Sequence, residues 1–182
     1  VSHVLDDKTM ATLEGNVAIG HVRYSTCGDS NVNNAQPLEG HCKLGQLAIA
    51  HNGTLTNAKI VRELLEETGA VFQSTIDSEV ILSLTSRKAS KGLEQAIVDA
   101  INMIQGAYAI VMTVEGKLVG IRDPHGIRPL CLGELKEGEY VLSSESCGLD
   151  AVGAKFLRDI APGEMVIIDE TGLKSIKYAE RS

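Results

Sequence analysis

Residues 93–122 read LEQAIVDAINMIQGAYAIVMTVEGKLVGIR, and the change of period inside this stretch decides the fold class. Leu93, Ala96, Ile97, Ala100, Ile101 and Ile104 recur at steps of three and one, which puts them on one helical face. Gly106 stops the pattern. Ala107 to Val114 then reads as a strand that turns through Glu115-Gly116 into a second strand, Lys117 to Arg122. Upstream, Thr56-Asn57 can cap a helix with Ile60, Val61, Leu64 and Leu65 as its apolar positions, ended by Gly69. Asp77-Ser78 can start another, with Val80, Ile81 and Leu84 on one face. Downstream, Glu139–Ser144, Glu164–Asp169 and Leu173–Tyr178 read as strands, with turn chemistry at Ala161-Pro162-Gly163 and Glu170-Thr171-Gly172. Nearer the start, Val17-Ala18-Ile19 and Leu47-Ala48-Ile49-Ala50 read as two strands joined by a long polar loop. Helices packed on an antiparallel sheet make a layered α+β domain.

Composition narrows the function classes. A chain of 182 residues is long enough for one well-buried core, and one domain is the default. The net charge of −7, without clustered Lys and Arg, argues against a nucleic-acid surface. Apolar runs of about six to eight residues fall far short of the ~20 that span a bilayer, so no membrane partner is expected. The first residues, Val1 to Asp7, carry acid where a signal peptide carries base. Residue 1 is Val and not Met, which reads as a processed product or a fragment. Cys27, Cys42, Cys131 and Cys147 form no CxxC clip and read as reduced thiols of a cytoplasmic protein. A metal site from Cys27, His41 and Cys42 lacks the tightly spaced ligand pairs of zinc centres, and no metal is expected.

Four segments carry polar groups where a plain strand or helix would not. Arg23, in Gly20-His-Val-Arg-Tyr-Ser-Thr-Cys-Gly28, offers a planar fork suited to a carboxylate, or makes a surface ion pair. Asn52-Gly53, after Ala48-Ile-Ala-His51, is first of all a turn, and can also present two donors to an oxyanion. Asp77 is most simply a helix N-cap, and can also receive an ammonium; Glu79 reads as a first-turn acid that complements the helix dipole. Arg122-Asp-Pro-His-Gly-Ile-Arg-Pro-Leu130 is a turn between strands in which His125 is exposed or functional, and Ser143-Ser-Glu-Ser146 follows it.

Taken in order, these motifs, with Asp77-Ser-Glu-Val-Ile81 and Gly106-Ala-Tyr108 between them, resemble the class II glutamine amidotransferases. The 122–130 motif, Ser143–Ser146 and Arg158-Asp-Ile-Ala-Pro-Gly-Glu164 narrow the likeness to the amidophosphoribosyltransferase branch. The resemblance implies an N-terminal-nucleophile hydrolase fold, a four-layer αββα sandwich of antiparallel sheets, here incomplete at the N-terminus. It implies that Arg23 holds the α-carboxylate of glutamine, Thr26 positions nucleophile or substrate, Asn52 and Gly53 form the oxyanion hole, and Asp77 binds the α-ammonium. The family's nucleophile is an N-terminal cysteine, whereas residue 1 here is Val. The expectation is a chain that starts about 50–60 residues into the domain and is inactive alone. The following phosphoribosyltransferase domain, with its phosphoribosyl pyrophosphate and Mg²⁺, is expected to lie outside it, as is the iron–sulfur cluster some members carry. A homo-oligomer is also implied. The competing readings are another class II amidotransferase, or a non-catalytic homologue that binds glutamine or a partner.

Overall fold

The computed structural model describes residues 7–22 and 32–180. After one helical turn, α1 (Asp7–Met10), come β1 (Leu38–Cys42), β2 (Gly45–Leu55), α2 (Ala58–Glu67), α3 (Ser78–Lys88) and α4 (Leu93–Ile101). Then follow β3 (Gly106–Val114), β4 (Lys117–Arg122), β5 (Cys131–Lys136), β6 (Glu139–Ser143), α5 (Ser146–Val152), β7 (Lys155–Asp159), β8 (Glu164–Asp169) and β9 (Gly172–Lys177). The strands form a six-stranded sheet, β1-β2-β3-β4-β8-β9, and a three-stranded sheet, β6-β5-β7. Every pairing in both is antiparallel.

The period of two in the strands builds the layers. Ile49 of β2 and Ile110 and Met112 of β3 pack with Val80, Ile81 and Leu84 of α3 and Ile97 and Ile101 of α4. Their neighbours Ala109 and Val111 face the other way, into a second core with Leu130, Leu132, Leu142 and Val166 between the two sheets. Cys131 and Leu149 form a third cluster where α5 covers the small sheet. The order is therefore helices, sheet, sheet, helix, the expected αββα sandwich. The sheets approach closely at Gly120, where a Cβ would stand 2.6 Å from Leu142 Cδ1. In the β3–β4 hairpin Glu115 and Gly116 both have positive φ, 50° and 75°, as a two-residue hairpin loop of matching twist requires.

Several elements differ from their sequence reading. Residues 17–19 are not a strand: they join neither sheet, and the two neighbours of β2 are β1 and β3. Asn52-Gly53 is not a turn but the continuation of β2, paired with Ala109 and Tyr108. Ile60 and Leu64 are 70% and 49% exposed, because the core stripe of α2 is the adjacent one, Val61 and Leu65. Helix α4 ends at Ile101, and Ile104 is buried beyond it in the link to β3. Strands β1, β5 and β7 and helix α5 were not expected.

Candidate active site

A cleft of about 590 Å³ opens where the two sheets part. Its walls are Ala50 and Asn52 of β2, Ala109 and Val111 of β3, and Leu130, Leu142 and Ser143 across the gap. Gly53, His51 and Asp77 line one side of it, and Arg128 and Ser144 also reach it. Asn52, Gly53 and Asp77 thus share one cavity. Arg23 and Thr26 lie outside the described residues. Gly20, His21 and Val22, which run directly into Arg23, line the same cleft.

Each group is held by its neighbours. Asn52 alternates with His51 along β2, so it belongs to the gap side while His51 belongs to the helix side. No described residue hydrogen-bonds the Asn52 side-chain amide. Gly53 has φ +147°, and a Cβ there would stand 2.0 Å from the Ala107 carbonyl oxygen. Only glycine fits that approach. Asp77 makes no cap bond to its own helix. Instead its Oδ2 accepts the Leu55 N–H at 2.8 Å, and its Oδ1 lies 3.6 Å from His51 Nδ1. Burial pushes the Asp77 carboxyl up. The His51 ring and the Leu55 and Ser78 amides outweigh that and hold it below its usual value. It is therefore an anion at neutral pH with acceptor capacity to spare for a cation.

The far wall rests on two residues that sequence reading left without a role. Arg122 Nε, Nη1 and Nη2 donate to the carbonyls of Arg128 (2.9 Å), Ile160 (2.7 Å) and Gly126 (3.0 Å). Asp123 is fully buried, and its carboxylate accepts backbone N–H bonds from Tyr108, His125, Ile127 and Arg128. The cation thus gathers carbonyls and the anion amides of the 123–128 loop, and each also ties that loop to a neighbour, Ile160 and Tyr108 respectively; the loop carries Arg128 to the cleft. An Arg-Asp pair before a Pro–Gly turn was the visible signal. His125 sits exposed on that loop. Glu79 does more than complement the helix dipole: its carboxylate accepts the Gln73 and Ser74 N–H groups and the Ser74 hydroxyl.

None of the three described cysteines lines the cleft. Burial pushes the Cys131 thiol up, and its Sγ donates to the Ser143 carbonyl. Among the described residues no three His, Cys, Asp or Glu side chains are placed to hold a metal ion. No described helix is long and apolar enough to cross a membrane.

The chain thus folds as two parted antiparallel sheets with an anion and an Asn-Gly pair on the lip of the gap. The glutamine amidotransferase domain model matches residues 21–151, and the chain belongs to that family. Its relatives there include amidophosphoribosyltransferases. The chain is 42% identical over 175 residues to amidophosphoribosyltransferase 1, chloroplastic, of Arabidopsis thaliana, covering 96% of the chain and 31% of that protein. It is 44% identical over 185 residues to the amidophosphoribosyltransferase of Synechococcus elongatus, covering 99% and 38% respectively. The solved glutamine phosphoribosylpyrophosphate amidotransferase of B. subtilis superimposes with a TM-score of 0.81 at 39% identity, over 87% of this chain and 34% of that one. The chain thus spans about a third of the length of these relatives.

Proposed function

We propose that the cleft is the glutamine site of an ammonia-producing domain, and that the ammonia passes to phosphoribosyl pyrophosphate to give phosphoribosylamine in purine biosynthesis. The observation that carries this reading is the meeting of Asn52, Gly53 and Asp77 at one cleft. A free amino acid amide needs a cation for its carboxylate, an anion for its ammonium and two donors at the scissile amide. Arg23 is assigned the carboxylate, Asp77 the ammonium, and Asn52 with Gly53 the oxyanion, with Thr26 positioning nucleophile or substrate. A cysteine thiolate, as the family uses, adds to the side-chain carbonyl. The tetrahedral oxyanion forms beside Asn52 and Gly53, ammonia leaves, and water releases glutamate from the γ-glutamyl thioester. That thiol is not among the described cysteines.

The second half-reaction, with Mg²⁺ on the pyrophosphate, an iron–sulfur cluster, and a homo-oligomeric state belong to the proposal for the longer protein, as does a cytoplasmic location. The plant relatives are chloroplastic by name. Calorimetric titration tests the site. The protein binds L-glutamine, and Asp77→Asn weakens that binding by about tenfold or more, the scale of one charge-assisted contact. Asn52→Ala leaves ground-state affinity nearly unchanged, because an oxyanion hole acts on the transition state; in the complete enzyme its turnover falls about 10²–10³-fold. Glutamine binding that ignores Asp77→Asn sinks the reading.

A further inference from the structure

His51 stands at the join of the two subsites just assigned and has no role in them. It is 3% exposed. Its backbone N–H donates to Gln36 Oε1 at 2.7 Å, and its carbonyl accepts from Gln36 Nε2 at 3.3 Å, so the main chain at this point of β2 is pinned. Its ring Nδ1 lies 3.2 Å from Ser78 Oγ, which is fully buried at the start of α3, and 3.6 Å from Asp77 Oδ1. The opposite ring nitrogen, Nε2, is buried with no hydrogen-bond partner among the described residues. It lies 2.9 Å from the point where a Cβ on Gly53 would be. The imidazole therefore fills the space between the Gly53 backbone and the Asp77 carboxylate.

An orphaned polar atom in a core costs stability, and an aliphatic side chain would fill the same volume without that cost. What an aliphatic side chain cannot do is bond Ser78 and attract Asp77. We propose that His51 is a positioning residue that fixes the span between the ammonium-binding carboxylate of Asp77 and the oxyanion pair Asn52-Gly53. The cleft then selects an amide whose α-ammonium lies one glutamine side chain away. Nδ1 is the working atom, and Nε2 only packs on Gly53. This rests on the glutamine reading and deepens it: substrate selection at the ammonium end is set by a side chain that is itself only 3% exposed.

The test separates positioning from mere support of the fold. Two ligands are titrated calorimetrically, L-glutamine and glutaramate, which is glutamine without its α-amino group. Against the wild type stand His51→Asn, which keeps an amide donor near the Nδ1 position, His51→Gln, which keeps one near Nε2, and His51→Leu, which keeps neither. The wild type prefers glutamine. His51→Gln and His51→Leu lower that preference by about tenfold, one lost charge-assisted contact, while glutaramate affinity stays. His51→Asn retains the preference. If His51→Leu does not fold, the Asn and Gln variants decide alone. Equal loss of both ligands in His51→Gln, or an unchanged preference, overturns the positioning role while the glutamine reading stands. A wild-type protein that binds neither ligand brings down the glutamine reading, and this assignment with it.

Discussion

Replacing Asp123 with Asn changes one atom and should cost this fold a large share of its stability. The Asp123 Oδ1 accepts the N–H groups of His125 (2.9 Å) and Ile127 (3.3 Å). Its Oδ2 accepts those of Arg128 (3.1 Å) and Tyr108 (3.3 Å). The residue is fully buried, so water cannot replace any of these. An asparagine keeps one acceptor oxygen and turns the other into an NH₂ group. Either orientation of the amide leaves one good donor and one long one facing another donor. Each buried donor left unpaired costs about 1–3 kcal/mol, and taking the long bonds at the low end gives roughly 3–4 kcal/mol. That compares with about 5–15 kcal/mol for a typical domain. Urea denaturation reads the effect. With a slope of about 1–3 kcal/mol/M, the midpoint falls by at least about 1 M. Because the same loop carries Arg128 to the cleft, ligand affinity falls with it. A variant within about 1 kcal/mol of wild type would mean that the four amides do not depend on the carboxylate, and the account of the 122–130 motif would fail.

Gly53→Ala forces a Cβ to within 2.0 Å of the Ala107 carbonyl oxygen at φ +147°; strain and overpacking together predict a loss of about 2–6 kcal/mol, read by thermal or urea unfolding, and a variant of wild-type stability contradicts the strand geometry. Burial would raise the Glu164 carboxyl, but the paired Arg158 guanidinium, the Ser175 hydroxyl and the Ala161 N–H hold it below the usual range. Its contribution is therefore present at neutral pH and is lost as acid takes the solution through that lowered value, so Glu164→Gln flattens the acid limb of a stability-against-pH curve. Tyr108 runs the other way: burial pushes its phenol up to about 12, so its contribution is intact below the unfolded value of about 10 and disappears as pH rises toward 12. Phenolate absorbance followed with stability shows one less late-titrating group in Tyr108→Phe; an unaltered alkaline limb rejects the assignment.

What was legible in the sequence was whatever period and turn chemistry could carry. Val80, Ile81 and Leu84 and the set around Ile97 have one apolar stripe each, and both stripes are buried. Helix α2 has two adjacent stripes, Ile60/Leu64 and Val61/Leu65, and period alone does not say which one faces the sheet. Strand β7 was illegible because Phe156 and Leu157 are both exposed on a sheet edge, so no inside-outside alternation marks it. Asn52-Gly53 has the letters of a turn. The β3 partner overrides them, since the Ala107 carbonyl occupies the space a side chain would need. Asp77 likewise has a local reading as a cap, and a distant amide, that of Leu55, takes the carboxylate instead. The shared cleft of Asn52, Gly53 and Asp77 came from matching several motifs in order, not from any one of them, because each motif alone has a commoner structural use.

The polar side chains around the cleft mostly bind backbone and not one another. Arg122 takes three carbonyls, Asp123 four amides, Glu79 two, and Gln36 both groups of His51. Asn34 adds a reciprocal pair with Thr75, whose loop leads to Asp77. A side chain that reads backbone fixes where a loop lies, whereas a surface ion pair fixes little. The consequence is that the Asp77 carboxylate and the Asn52-Gly53 pair stand at a set separation before any ligand arrives. Binding then does not have to meet the entropy of ordering those loops, and more of the contact energy remains for selecting the substrate. On this argument the rigidity of the walls and the choice of ligand are one property, and loosening a loop that touches no ligand should weaken discrimination at the cleft.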